Sequence, residues 1–206
     1  ANVVLKCLGE LGETAVMEYK VRGASVVSAP LNQAKNSAVL AQPRTIQRWI
    51  YTKSLLKTMK KKAHVQLERF CNNDPDTDKF DYKAAVAAET ITEFDDAFVA
   101  PLYGFQDVWD YYEKTSSGNF LQSIAVPTHI VNAKDDPFFD SNVWPIEQSV
   151  EYGGKAPVKM IRTDHGGHVG FMFHQTDDHH NHQQLSWISL ESGRFLSHVH
   201  ERQQQV

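Results

Sequence analysis

Thr163-Asp164-His165-Gly166-Gly167-His168-Val169-Gly170-Phe171 is the stretch from which the chain is best read. It follows an apolar segment, 158–162, of the length and composition of a buried strand. Gly166 and Gly167 admit backbone conformations that a side chain resists, so His168 stands in a turn at the end of that strand. Upstream, Val131-Asn132-Ala133-Lys134-Asp135-Asp136-Pro137 closes a second apolar segment, 128–132, with a carboxylate held by a proline. Asp136 precedes His168 by 32 residues. An acid and then a base, each leaving the end of a predicted strand, fits nucleophilic catalysis. In that chemistry a histidine takes the nucleophile's proton and a carboxylate orients the histidine.

The individual assignments follow from position. Asp136, directly before Pro137, is the expected orienting acid, with Asp135 as the competing choice. Both aspartates also suit a simple turn. His168 is the expected general base, since imidazole accepts and returns protons near neutral pH. His165, nearer the strand, is expected to be structural or to support the base from behind. The nucleophile is the missing part, because no Gly-x-Ser-x-Gly occurs in these residues.

Outside these motifs, composition narrows the class. At 206 residues the chain suits one domain, and its 41% apolar and 22% charged content reads as globular rather than disordered. A net charge of −4 gives no reason to expect a nucleic-acid partner. No stretch approaches the roughly 20 apolar residues of a membrane span, and no basic-then-apolar leader opens the chain. Two cysteines, Cys7 and Cys71, make no disulfide framework, so a reducing compartment is the default.

Periodicity places the remaining elements. Residues 1–11 read as a helix with Val4, Leu8 and Leu11 on one face and Gly12 as its stop. Ala24–Val27 reads as a short buried strand. Residues 43–70 read as a long helix with Leu56, Met59, Ala63, Leu67 and Phe70 on the apolar side. Lys57, Lys60, Lys61 and Lys62 lie opposite, a solvated face in the favoured reading and a membrane-contacting one in the alternative. Shorter helices are expected at 82–89, 105–114 and 145–150, and a final amphipathic helix at 185–199. Strand, helices, strand, helix, strand, helix is the α/β class, with the helical stretch 43–116 inserted as a cap. The acidic loop 72–78 lacks the glycine and glutamate of a calcium loop. His174, His179, His180 and His182 raise a zinc hypothesis, disfavoured because no cysteine lies near. No metal and no cofactor are expected.

Several separated segments together resemble the YheT-like branch of the α/β-hydrolase superfamily, the abhydrolase-type esterases and lipases. They are Asn2-Val3-Val4-Leu5-Lys6-Cys7-Leu8-Gly9-Glu10, Val27-Ser28-Ala29-Pro30, Glu93-Phe94-Asp95-Asp96, Ala100-Pro101-Leu102-Tyr103-Gly104-Phe105, and the two motifs quoted above. The resemblance implies that Asp136 and His168 are the acid and base of a Ser…Asp…His triad. It implies that 1–206 is the C-terminal part of an α/β-hydrolase sheet with a helical cap insertion. The serine would then fall a few residues before Ala1, and the oxyanion donors would be missing with it. The implied function is a serine-type carboxylic-ester hydrolase acting on lipid or medium-chain acyl esters, with acyl transfer to alcohols open to the same intermediate. A small acyl ester or lipid is the implied partner. Cytoplasmic placement, or membrane association through an N-terminal region not contained here, is the implied location. The chain by itself is expected to be inactive; the contrasting reading is a non-catalytic binding module. Trp49, Phe70, Phe98, Tyr103 and Phe105 are compatible with an apolar acyl pocket and equally with an ordinary core.

Overall fold

A computed structural model describes residues 1–42, 47–140, 142–176 and 182–204, with the backbone alone for 47–49, 173–176 and 182–185. In chain order the elements are α1 (Asn2–Leu11), α2 (Glu13–Met17), β1 (Ala24–Val27), α3 (Gln33–Ala41), a π-helical turn (Gln47–Thr52), α4 (Lys53–Phe70), α5 (Tyr82–Ala87) and α6 (Ile91–Phe94). After a second π-helical turn (Asp95–Val99) come α7 (Ala100–Leu102), α8 (Val108–Thr115), β2 (Thr128–Ala133), β3 (Val158–Thr163), β4 (Met172–Thr176), β5 (His182–Ser186) and α9 (Trp187–Gln204). They divide into two compact units, one of Ala1–Leu31, Ser116–Pro137 and Ser141–Val206, the other of Asn32–Thr115 with Phe138–Asp140.

The first unit is an α/β layer structure. Its sheet runs β1-β2-β3, all parallel, with Val26 opposite Ile130 and Ile130 opposite Met160. Alternate residues feed two apolar clusters. Val26, Ile130, Val158 and Met160 pack with Leu5, Leu8, Leu121, Ile124 and Val126. Val27, Val131 and Ile161 pack with Ala133, Phe171, Trp187 and Ile188. A parallel sheet covered on both faces requires apolar residues at consecutive positions, and all six residues of β2 are buried. His129, also in that strand, lies under Phe195 of α9 with ring centroids 5.0 Å apart, and burial holds its pKa down.

The buried face of α1 is not the one its spacing suggested. Leu5, Leu8 and Gly9 are buried, while Val4 is 45% exposed. Gly9 explains the rotation. A Cβ there would stand 2.5 Å from both the Cβ and the carbonyl oxygen of Phe120, so the helix meets the 3-10 turn Ser117–Ser123 backbone to backbone. Overpacking of this kind costs about 1–3 kcal/mol. Gly9→Ala is therefore expected to lower the thermal midpoint by roughly 2–10 °C; an unchanged midpoint in a melting scan would contradict the close approach.

Other differences have local causes. The stretch read as a helix near 145–150 forms two 3-10 turns, Ile146–Gln148 and Val150–Tyr152, the second closed by Gly153 at φ 96°. Part of the histidine-rich segment forms the antiparallel pair β4–β5. His179 and His180 lie outside the described residues, as do the side chains of His174 and His182. Among the described residues no cluster of side chains could hold a metal ion and no helix is long and apolar enough to cross a membrane.

The second unit is helical. The spacing missed α3, whose N-terminus is capped by Asn32 accepting from the Lys35 N–H at 3.0 Å. Asp81 and Thr90 cap α5 and α6 in the same way. Leu56, Ala63 and Leu67 of α4 face a core with Phe80, Phe94 and Phe98. Phe70, expected on that face, is 61% exposed because α4 ends there.

One carboxylate is placed against its own charge. Asp95 is buried and accepts a hydrogen bond from Tyr112 Oη at 2.8 Å. Burial raises its pKa from 3.8 to about 6, opposed in part by the Tyr112 bond, and burial likewise raises the Tyr112 hydroxyl. The folded chain thus holds this proton more tightly than the unfolded one. The associated stability is fully present below the unfolded value and is lost as pH rises through about 6. Two pKa units correspond to roughly 3 kcal/mol. Asp95→Asn should flatten the fall in stability between about pH 4 and pH 7 in denaturant titrations; an identical slope in the variant would show that another group carries it.

Candidate active site

The two decisive motifs leave neighbouring parallel strands at the same edge of the sheet. β2 ends at Ala133 and β3 at Thr163, residues that face each other in register, and the Lys134 N–H donates to the Thr163 carbonyl at 2.9 Å. The chain leaving β2 turns so that the Asp136 carboxylate is fully enclosed, its side chain 0% exposed. The loop leaving β3 brings His168 to it, with Nδ1 2.9 Å from Asp136 Oδ2. The His168 side chain keeps 40% of its surface exposed. An ionised carboxylate can only accept, so Nδ1 carries the proton in this pair and Nε2 carries the basic lone pair.

Asp135 takes a different role from its neighbour. Its Oδ1 accepts the Gly167 N–H at 2.8 Å, while its Oδ2 lies 3.4 Å from His165 Nδ1. The Gly167 bond, with a smaller contribution from His165, holds the Asp135 carboxyl below the ordinary carboxylate range. Asp135 braces the loop backbone, and the enclosed carboxylate facing His168 belongs to Asp136. His165 points outward, its side chain 90% exposed.

The loop is closed from within. The Gly170 and Phe171 N–H groups both donate to the Gly166 carbonyl, at 2.8 and 3.1 Å. Phe171 is buried at φ 30° and stacks on Trp187. A left-handed aromatic residue is strained, and its burial against Trp187 compensates.

Two residues at this edge had no role assigned from the sequence. Ser28, at φ 52° just beyond β1, donates its hydroxyl to the His168 carbonyl oxygen. Asn132 bonds both backbone groups of Ala29, accepting from its N–H and donating to its carbonyl, each at 3.1 Å. The available signal was Asn132 itself. An amide in a fully buried strand must find partners, and the adjacent strand end is where they could be.

Among the described aromatic side chains considered for an acyl pocket, no ring contact links Phe98 with Phe70, Tyr103 or Phe105. Phe98 lies in the helical core beside Phe80 and Phe94, Tyr103 is 71% exposed, and the Trp49 side chain lies outside the described residues. A cavity of about 680 Å³ in the helical unit has a mixed lining, with Asp76, Asp78, Asp81 and Asp96 beside Phe80 and Pro101.

Parallel strands covered by helices, with Asp and His leaving adjacent strand ends, fit an α/β-hydrolase type of fold. Comparison with known proteins points the same way. The chain is 37% identical to Putative esterase YheT of Escherichia coli over 60% of its own length and 34% of that protein's. It is 29% identical to Phospholipase ABHD3 of Mus musculus, over 82% of this chain and 38% of the relative. With Medium-chain fatty acid ethyl ester synthase/esterase 2 of Saccharomyces cerevisiae it shares 36% identity, over 43% of this chain and 19% of that one. The matched regions thus span little more than a third of these relatives at most. No family model matches the chain, and no solved structure matches it. These relatives support placing the chain in the α/β-hydrolase superfamily, in its abhydrolase-type esterase and lipase branch.

Proposed function

We propose that this chain supplies the acid and base of a serine-type carboxylic-ester hydrolase acting on lipid or medium-chain acyl esters. The observation that supports it most is the 2.9 Å contact between an enclosed carboxylate and a half-exposed imidazole. In this reading His168 Nε2 takes the proton of a serine hydroxyl as that oxygen attacks the ester carbonyl. It then returns the proton to the departing alkoxide. Asp136 holds the ring and stabilises the imidazolium formed between those steps. Water, or an alcohol in acyl transfer, releases the acyl group by the same exchange. The relatives named as phospholipase and as ethyl ester synthase/esterase suggest the substrate class.

No Gly-x-Ser-x-Gly occurs among these residues, and in this reading the nucleophile comes from sequence outside them. The product of the extended reading frame is expected to react with a fluorophosphonate probe at one serine, and His168→Ala is expected to abolish that labelling. A product that stays unlabelled would favour a non-catalytic binding module. The 206 residues alone are expected to turn over no short acyl ester; turnover that His168→Ala removes would place the nucleophile within them.

A further inference from the structure

We propose that Ser28 is a positioning residue for His168, an inference that rests on the Asp136–His168 reading above. The imidazole is fixed at one point by its Nδ1 contact with Asp136. Where Nε2 sits depends also on the backbone that carries the ring. The Ser28 hydroxyl fixes that backbone by donating to the His168 carbonyl.

The anchor is itself rigidly held. Ser28 is buried, and its N–H donates to the Val131 carbonyl at 2.8 Å. The next residue, Ala29, is clamped at both backbone groups by Asn132. Two successive residues beyond β1 are therefore tied to β2, the strand that also delivers Asp136. Base and acid are thereby referenced to one strand. On the other side of His168, Asp135 holds the Gly167 N–H.

The backbone at Ser28 supports a role beyond packing. At φ 52° it occupies the left-handed region, which costs a residue with a side chain roughly 1–2 kcal/mol and which glycine enters freely. A serine there forgoes the glycine advantage and contributes a hydroxyl in its place. Backbone strain retained at a site of this kind is often tied to function.

Ser28→Gly separates the two roles, because it removes the hydroxyl while relieving the backbone. In the 206-residue chain labelled with nitrogen-15 histidine, the Nδ1 proton shared with Asp136 is expected as a far-downfield proton resonance, assigned by its absence in His168→Ala. Ser28→Gly is expected to speed its exchange with water about tenfold, the scale of one lost hydrogen bond, with a thermal midpoint no lower than that of the unsubstituted chain. A resonance exchanging at its original rate in Ser28→Gly overturns the proposal and leaves the acid–base reading intact. Faster exchange accompanied by a lower midpoint assigns Ser28 to general stability and also overturns it. Absence of the resonance in the unsubstituted chain, or its persistence in Asp136→Asn, instead sinks the acid–base reading and this inference with it.

Discussion

His168→Ala is expected to lower kcat for the proposed acyl-ester hydrolysis by about 10⁵- to 10⁶-fold, and Asp136→Asn by about 10⁴-fold, in a product that carries the proposed serine. KM should change little in either. The two losses differ in origin. Alanine removes the group that moves the proton. Asparagine keeps the shape but presents an amide, which can donate to Nδ1 where the carboxylate could only accept. The imidazole then carries its proton on Nε2, and the lone pair faces away from the serine. Because the Asp136 side chain is fully enclosed, water has no room to restore the original tautomer. Steady-state kinetics on short acyl esters check both values; a loss below about tenfold in either would remove that residue from the chemistry.

Gly166→Val should be the most damaging single change to the site's architecture. A Cβ at Gly166 would lie 2.6 Å from two ring carbons of Phe171 and 3.1 Å from the Cβ of Ala133. Neither neighbour can yield, since Phe171 is buried against Trp187 and Ala133 belongs to β2. A loss of about 3 kcal/mol or more is expected, with the His168 loop displaced. Gly167 offers the control. It sits at φ 54° with nothing within 4 Å of a built Cβ, so Gly167→Ala should cost only the conformational term, roughly 1–2 kcal/mol. Gly166 also sits at φ 156°, which side chains rarely adopt, so part of its loss is conformational; denaturant titrations in which Gly166→Val costs no more than Gly167→Ala would mean that contact with Phe171 adds nothing.

Much of the fold could be read from the residues because its signals are local. Ala24–Val27 and the two apolar segments before Asp136 and His168 became β1, β2 and β3, as continuous apolar runs bounded by turn residues should. The α/β order followed from them. What escaped depends on contacts distant in sequence. The rotation of α1 is set by Gly9 meeting Phe120, more than a hundred residues away. The turns at 146–152 replace a helix that periodicity alone could not exclude. At the site, the pairing of Asp136 with His168 was legible because each follows a strand and their order is informative. Ser28 and Asn132 were not singled out, since a buried hydroxyl and amide acquire meaning only once their partners across strands are known. Asp135 shows the complementary limit. Two adjacent carboxylates carry the same chemistry in sequence, and only the turn after β2 encloses one and sends the other to the Gly167 N–H.

The most direct test is a kinetic double-mutant cycle on Asp136 and His168 in the serine-bearing product. If the carboxylate acts only through the imidazole, Asp136→Asn should cost nothing further once His168 is alanine, and the double variant should match the His168→Ala rate. Losses that multiply, with the double variant slower by the product of the two single effects, would show that the residues work independently and would contradict the account.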